Sequence, residues 1–282
     1  AETQCITDFI HMLILYIMFN SGAKLQYFPQ LTALHVSFFL IFARELEAKE
    51  EKMRIVVLTG AGMSAESGLS TFRDSDGLWN NYNVEDVATP EGWARDPKLV
   101  TDFYNARRRE LLAAKPCEGH RLVAELERKR HQVDVITQNI DNLHEQAGST
   151  HVLHLHGELM KVTSSLAPND PSQISTLPAG HPDVHIGDLA PDGSQLRPFI
   201  VWFGEPVPQI APAIELCRQA QVMIVIGTSL NVYPAAGLTR YVPRTAPIYL
   251  IDPKPVGWNA NRPFEQLKMG ASEGMACILK KY

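Results

Sequence analysis

The sequence predicts an α/β fold, an open parallel sheet interrupted by a smaller inserted domain. Three observations predict it. From Met53 onward, β-branched apolar runs alternate with helical patterns. The runs are short and apolar at nearly every position, as strands covered on both faces are. Strand–helix alternation in turn implies right-handed crossovers and parallel pairing. In chain order, the first strand covers residues 55–58 (IVVL), and helical patterns cover 98–113 and 118–131. A strand at 133–137, a helix at 140–146 and a strand at 152–154 follow. Residues 166–198 are rich in Pro, Asp, Ser and Gly without periodicity, which predicts a loop-dominated insertion. Beyond it, strands at 199–202, 222–226 and 248–251 alternate with helices at 209–219, 234–241 and 270–280.

Composition narrows the function. Of 282 residues, 45% are hydrophobic and 20% charged, which excludes wholesale disorder and collagen-like repeats. The net charge of −5 argues against a nucleic-acid binder that depends on a broad basic face. Four cysteines, Cys5, Cys117, Cys217 and Cys277, form no CxxC pair, which argues against a disulfide scaffold or a thiolate zinc site and predicts a reducing, cytoplasmic location.

Residues 1–52 do not match the rest. Apolar runs at 9–19 and 31–42 each fall short of the roughly 20 residues that a spanning helix needs. No Lys or Arg precedes the first run, so the cationic start of a signal peptide is missing. Met53 stands directly before the first strand, so the natural protein is expected to start near it, with 1–52 an extension. A membrane-adhering helix pair is the alternative; no stable membrane insertion is expected.

The first chemistry lies where strand 55–58 runs into Gly60-Ala61-Gly62-Met63-Ser64-Ala65, a fit to G-x-G-x-x-G/A. Glycines there let the backbone turn tightly and approach a diphosphate, as in Rossmann-like sheets. The acidic residue that holds a ribose about 20 residues further on in dehydrogenases is not apparent, so a plain dehydrogenase fits poorly. The chain continues Glu66-Ser67-Gly68-Leu69-Ser70-Thr71-Phe72-Arg73.

The stretch GAGMSAESGLSTFRDSDGLW, ending at Trp79, resembles the NAD-binding signature of the sirtuins, the NAD-dependent protein deacylases. Gln138-Asn139-Ile140-Asp141, His156-Gly157, Val201-Trp202-Phe203-Gly204-Glu205 and Gly227-Thr228-Ser229 agree in order and spacing. The resemblance implies a Rossmann-like part at 53–83, 115–160 and 199–282, and a small domain from 84–114 and 161–198. It also implies the reaction. The nicotinamide–ribose bond of NAD, a consumed co-substrate, is split, the oxygen of an acyl-lysine amide captures the ribose, and a base activates the 2′-hydroxyl. The acyl group leaves as 2′-O-acyl-ADP-ribose. Acylated-lysine proteins are the implied partners.

A base titrating near neutral pH suits an imidazole, and His156 matches the family's catalytic position. His151 and His154 fit structural roles better. Gln138, Asn139, Ile140 and Asp141 follow a strand at the carboxyl edge of the sheet, where they would hold nicotinamide and ribose and stabilise charge; capping of the next helix is the ordinary alternative. The family's cofactor contacts map onto Gly60, Ala61, Gly62, Ser64, Ala65, Glu66, Phe72, Arg73 and Trp79. Phe72 and Arg73 match its mobile loop, against core packing and a solvated charge. Gly227, Thr228 and Ser229 match its adenosine-side phosphate or ribose contacts. Leu250, Ile251 and Asp252 match the adenosine turn, where the family more often has Asn-x-Glu, and Ala271 falls where the chain passes the adenine. Val201, Trp202, Phe203, Gly204 and Glu205 resemble the segment that takes a substrate peptide as an added strand; a buried core strand is the alternative for Val201 and Trp202.

Tyr104 and Arg107 are neighbours on one helical face. The Y-x-x-R pair resembles bacterial class III deacylases, which remove succinyl, malonyl or glutaryl groups. Arg107 would hold a terminal carboxylate through two parallel hydrogen bonds while Tyr104 donates another; a solvated run with Arg108 and Arg109 is the alternative. Ala88 falls at the family's pocket wall, where a small residue leaves room for a longer acyl chain. Acetyl-lysine stays a substrate beside succinyl-lysine. The family's zinc-binding CxxC pairs would fall at 161–165 and 188–195, where this chain has no cysteine. No zinc is therefore expected, with loop packing and turn hydrogen bonds in its place. Two other readings of the cofactor site are a mono-ADP-ribosyltransferase and a catalytically silent NAD- or ADP-ribose-binding module. The oligomeric state is not encoded in any motif.

Overall fold

The computed structural model describes residues 52–69, 82–129, 131–257 and 262–282. The chain divides into two compact units, Ala1–Lys52 and Met53–Tyr282, and the described strands and helices belong to the second. The apolar runs at 9–19 and 31–42, and Phe72, Arg73 and Trp79, lie outside the described residues.

The apolar strands assemble as their patterning requires. β1 (Arg54–Thr59), β2 (Gln132–Thr137), β3 (Val152–His154), β7 (Val222–Ile226), β8 (Ile248–Ile251) and β9 (Glu265–Leu267) form one sheet in the order β3-β2-β1-β7-β8-β9. Every neighbouring pair is parallel, with Val57 opposite both Val135 and Ile224. Side chains alternate between two cores, as a period of two demands. Val56, Leu58, Met223, Val225, Ile248 and Leu250 face one core, packed on helix α7 (Ile210–Arg218) and the 3-10 turn Ala235–Tyr241. Ile55, Val57, Val222, Ile224, Tyr249 and Ile251 face the other, packed on α5 (Glu118–Arg128) and α8 (Ala271–Leu279). Each buried aliphatic side chain contributes about 1.5–3 kcal/mol by leaving water.

The order reverses at β1. From β1 the chain crosses outward to β2 and β3, then returns to β7 on the other flank, which opens a crevice at the carboxyl ends of β1 and β7. Four elements in front of that crevice come from the segment before β2: α1 (Gly62–Ala65), α2 (Val84–Val87), α3 (Pro90–Arg95) and α4 (Pro97–Ala113). The α4 helix starts at Pro97 because the Asp96 carboxylate accepts the Leu99 amide at 2.9 Å.

Three sequence expectations shift. The helix expected at 140–146 is α6 (Leu143–Ala147), since Ile140–Asn142 form an irregular turn at the crevice. Residues 234–241 form a 3-10 turn. Within the loop-dominated 166–198 stretch, β5 (Ser175–Thr176) and the start of β6 (Leu196–Ile200) pair with β4 (Gly157–Ser164), a strand that the sequence did not mark, in a small antiparallel sheet. The β4 sequence GELMKVTS has neither an apolar run nor strict alternation, so it lacked the signal that marked the buried strands.

A polar hub ties this small sheet together. The buried Ser164 hydroxyl bonds to the Asp192 carboxylate at 2.5 Å and the Ser194 hydroxyl at 2.8 Å, and it accepts the Leu166 and Ala167 amides. The hub stands where the two expected cysteine pairs are missing. Among the described residues, no group of three or more His, Cys, Asp or Glu side chains is placed to hold a metal. Ser164→Ala removes the shared partner of four groups and should lower unfolding stability by about 1–3 kcal/mol in urea titration. A loss within experimental error would show that the hub does not hold the module.

Candidate active site

The site is built at the point where the strand order reverses. The Gly60 amide donates to the Ile226 carbonyl at 3.0 Å, and the Gly62 amide to the Gly227 carbonyl at 2.9 Å. The two loops approach so closely that a Cβ on Gly62 would lie 2.6 Å from the Gly227 Cα, and Gly227 itself holds a φ of +61°. The glycines therefore serve first to let the β1 and β7 loops touch. With Met63 and Ser64 also donating within the turn, Gly60 and Gly62 have no amide left for a phosphate.

Around this contact lies a cavity of about 600 Å³. Its lining includes Gly60, Ala61, Gly62, Ser64, Ala65, Glu66, Gln138, Asn139, Ile140, Asp141, His156, Gly227, Thr228, Ser229, Ile251, Asp252 and Ala271, most of the residues that the sequence marked. Among the described residues marked for the cofactor, Leu250 is the exception: alternation turns its side chain into the core, fully buried. Glu66 borders the cavity, but its carboxylate is engaged by the Ser272 amide and hydroxyl, so it anchors the start of α8.

Behind the β1 loop sits a buried polar network. The Ser64 hydroxyl donates to Asp141 Oδ2 at 2.8 Å and accepts from Asn139 Nδ2 at 3.1 Å, while Asn139 Nδ2 also donates to the Gly60 carbonyl at 3.0 Å. Asp141 Oδ1 accepts the Leu143 amide at 3.1 Å, so part of the helix-start role is real for Asp141. Burial raises the Asp141 pKa, against the pull of its Ser64 and Leu143 bonds. Gln138 Nε2 donates to Thr228 Oγ1 at 3.1 Å, joining the β2 and β7 loops across the crevice.

His156 reaches the same cavity. Its Nδ1 lies 3.0 Å from the Gln138 carbonyl, an acceptor only, so Nδ1 carries the proton and Nε2 keeps its lone pair. Burial pushes the His156 pKa below 6.5, against the opposing effect of that bond. His154 is a different case. Its Nδ1 bonds to the Asn139 carbonyl at 3.1 Å and its Nε2 to Glu145 at 2.8 Å, and although burial disfavours its charge, Glu145 raises its pKa overall. It holds the β2 loop from behind.

A further part of the cavity has a largely apolar lining, with one ion pair. Ala88, Phe103, Leu159, Ile200 and Trp202 line it beside Tyr104, Arg107 and Glu110 of α4. The Trp202 indole donates to the Tyr104 hydroxyl at 3.0 Å, which leaves the hydroxyl hydrogen free to donate; burial raises the Tyr104 pKa, so the hydroxyl stays protonated. Arg107, its side chain only 13% exposed, donates from Nη2 to Glu110 at 2.8 Å, while Nε and Nη1 have no partner among the described residues. Arg108 is not part of a solvated run. It is buried, bonded to the Leu159 carbonyl and Asn105, and burial lowers its pKa to about 10.

Residues 201–205 form a turn after β6. The amides of Val201, Trp202, Phe203 and Glu205 pair with the His156 carbonyl, the Glu205 carboxylate, the Ala88 carbonyl and the Trp202 carbonyl. Glu205 is taken up by Arg197, at 2.7 and 3.1 Å, whose guanidinium lies 3.4 Å over the Trp202 ring. Arg197 thus orients Trp202 and, through it, Tyr104. No spacing in the aperiodic stretch before it marked Arg197 in the sequence.

Fold and cavity are those of a Rossmann-like α/β protein with its cavity at the point where the strand order reverses. Residues 60–234 match the Sir2 family, and the chain belongs to it. A protein named NAD-dependent protein deacylase from Bacteroides thetaiotaomicron is 62% identical over 221 residues, 78% of this chain and 94% of that protein. One of the same name from Helicobacter pylori (strain 26695) is 54% identical over 200 residues, 71% of this chain and 84% of the relative. A solved Sir2 homologue mutant in complex with ADP-ribose superposes with a TM-score of 0.73 at 36% identity, covering 84% of this chain and 95% of that one.

The His156 geometry is measurable directly. Side-chain ¹⁵N NMR should report the Nδ1-protonated tautomer and a titration midpoint below 6.5. An Nε2-protonated ring, or a midpoint above that value, would contradict the assignment of Nε2 as the free base.

Proposed function

We propose that the protein is an NAD-dependent protein deacylase that removes succinyl and malonyl groups from lysine as well as acetyl groups. The observation that supports this acyl range is Arg107: a guanidinium largely withdrawn from water, on a residue that lines the cavity together with Tyr104, with Nε and Nη1 unpartnered among the described residues. A terminal carboxylate supplies the partner that geometry lacks.

The residues present fit NAD. A cavity of about 600 Å³, walled by small residues at Gly60, Ala61, Gly62 and Gly227 and by the hydroxyls of Ser64, Thr228 and Ser229, has the size and polarity for a dinucleotide. When bound, NAD supplies a ribose carbon that becomes electrophilic as nicotinamide departs. The chain's own residues do the rest. Asn139 and Asp141, fixed by Ser64, present a polar wall beside the reacting ribose. His156 Nε2, neutral at physiological pH, accepts the proton of a ribose hydroxyl. Ala88 leaves the channel wide, and Tyr104 and Arg107 fix the far end of an acidic acyl chain.

Acyl-lysine proteins are the substrates under this reading. The absence of zinc and a cytoplasmic location belong to the same proposal, supported by the Ser164 hub and the cysteine count. Among the described residues no helix is long and apolar enough to cross a membrane. Elemental analysis of the purified protein should find substoichiometric zinc; one zinc per chain would overturn that part.

Arg107→Met should lower kcat/KM on succinyl-lysine peptide by at least about tenfold, the loss of a charge-assisted pair of about 1.5–3 kcal/mol, and change acetyl-lysine hydrolysis by less than about threefold. Equal losses on both peptides would refute the clamp.

A further inference from the structure

Glu110 lies one turn beyond Arg107 on α4, and its carboxylate borders the same cavity. It accepts one Arg107 hydrogen bond, at 2.8 Å from Nη2, and is 43% exposed where Arg107 is 13% exposed. Arg107 is also held over the Phe103 ring at 4.9 Å, so the guanidinium has a fixed place between an aromatic face and an internal carboxylate. Nε and Nη1 are buried and have no partner among the described residues, and Nη2 keeps a second N–H beside the one it gives Glu110.

We infer that Glu110 is a specificity-determining residue: an internal carboxylate that competes with the acidic acyl group for Arg107 and so sets the balance between acidic and neutral acyl-lysine. The inference rests on the acyl range proposed above and goes beyond it. An incoming acyl carboxylate meets two opposed effects. Arg107 attracts it, and Glu110, already seated on the same guanidinium, repels it and occupies one arm of the fork that would otherwise offer a full bidentate pair. For an acetyl group the effect reverses. Glu110 offsets the charge of Arg107, so the channel wall that meets a methyl group is a neutral pair instead of a bare cation. One residue therefore lowers the preference for acidic groups while keeping the channel usable for acetyl.

The test is steady-state kinetics at saturating NAD on succinyl- and acetyl-lysine versions of one peptide, for the wild type, Glu110→Gln, Arg107→Met and the double variant. Glu110→Gln keeps the side-chain shape on an exposed helix face and removes the charge. Its KM for the succinyl peptide should fall about threefold to fivefold, the scale of a partly exposed charge interaction, with kcat little changed. Its kcat/KM on the acetyl peptide should fall, and the succinyl gain should vanish in the Arg107→Met background. A merely structural role for the ion pair would shift both peptides in the same direction. Such a parallel shift, a raised succinyl KM, or a gain that survives Arg107→Met overturns the inference. The acyl-range reading fails separately: Arg107→Met alone would then affect both peptides alike. Selective loss in Arg107→Met with no response to Glu110→Gln would leave the acidic-acyl channel standing and remove Glu110 from it.

Discussion

The contact between the Gly60–Gly62 turn and Gly227 sets the geometry of everything around it. Two backbone hydrogen bonds join the turns, and a side chain on either glycine would collide with the opposite main chain. Their closeness fixes the carboxyl ends of β1 and β7 at one distance. The cavity then lies in front of that seam, where open α/β sheets place their ligands. This changes the physical reading of the glycine motif. Two of its amides are spent on the neighbouring loop, so the motif brings small walls together, and the polar groups beside them are the hydrogen-bonded side chains of Ser64, Asn139, Asp141 and Thr228.

From that seam, polar bonds run outward in two directions. Ser64 links α1 to the β2 loop through Asn139 and Asp141, and the Gln138 carbonyl sets the His156 tautomer. His156, the Ser64–Asn139–Asp141 network and the glycine turn thus belong to one connected set of groups. The acyl end has its own support. Glu205, Arg197, Trp202 and Tyr104 form a chain of an ion pair, a cation–π contact and a hydrogen bond. Asn105 and Arg108 fasten α4 to Val184 and Leu159 of the inserted module. The module thereby has a task beyond its own folding, since it steadies the helix that presents Tyr104 and Arg107.

Buried parallel strands were legible in the sequence because both faces need apolar side chains, and 222–226 and 248–251 have the same bounds in the structure. The residues around the cavity were legible because their motifs sit at strand ends, where Gly60, Gln138 and Gly227 meet. Other features depend on partners remote in sequence. The β4 strand buries polar residues such as Thr163 and Ser164 beside Leu159 and Val162, so no apolar run betrays it. Leu250 was assigned from a motif position, but the strand period sends it into the core while Ile251 reaches the cavity. The turn at 201–205 was not legible either, because its amides pair with groups remote in sequence, Val201 with His156 and Phe203 with Ala88. Arg197 acts through an aromatic ring and a carboxylate, neither of which its local sequence suggests.

If one continuous cavity brings a nucleotide and an acyl-lysine together, with His156 as the base between them, the products of a single reaction reveal it. Mass spectrometry of the products formed from NAD and a succinyl-lysine peptide is the decisive measurement. Free nicotinamide, unmodified lysine and 2′-O-succinyl-ADP-ribose should form in equal amounts. ADP-ribose attached to protein without acyl-ADP-ribose, or no release of nicotinamide at all, would contradict the assignment.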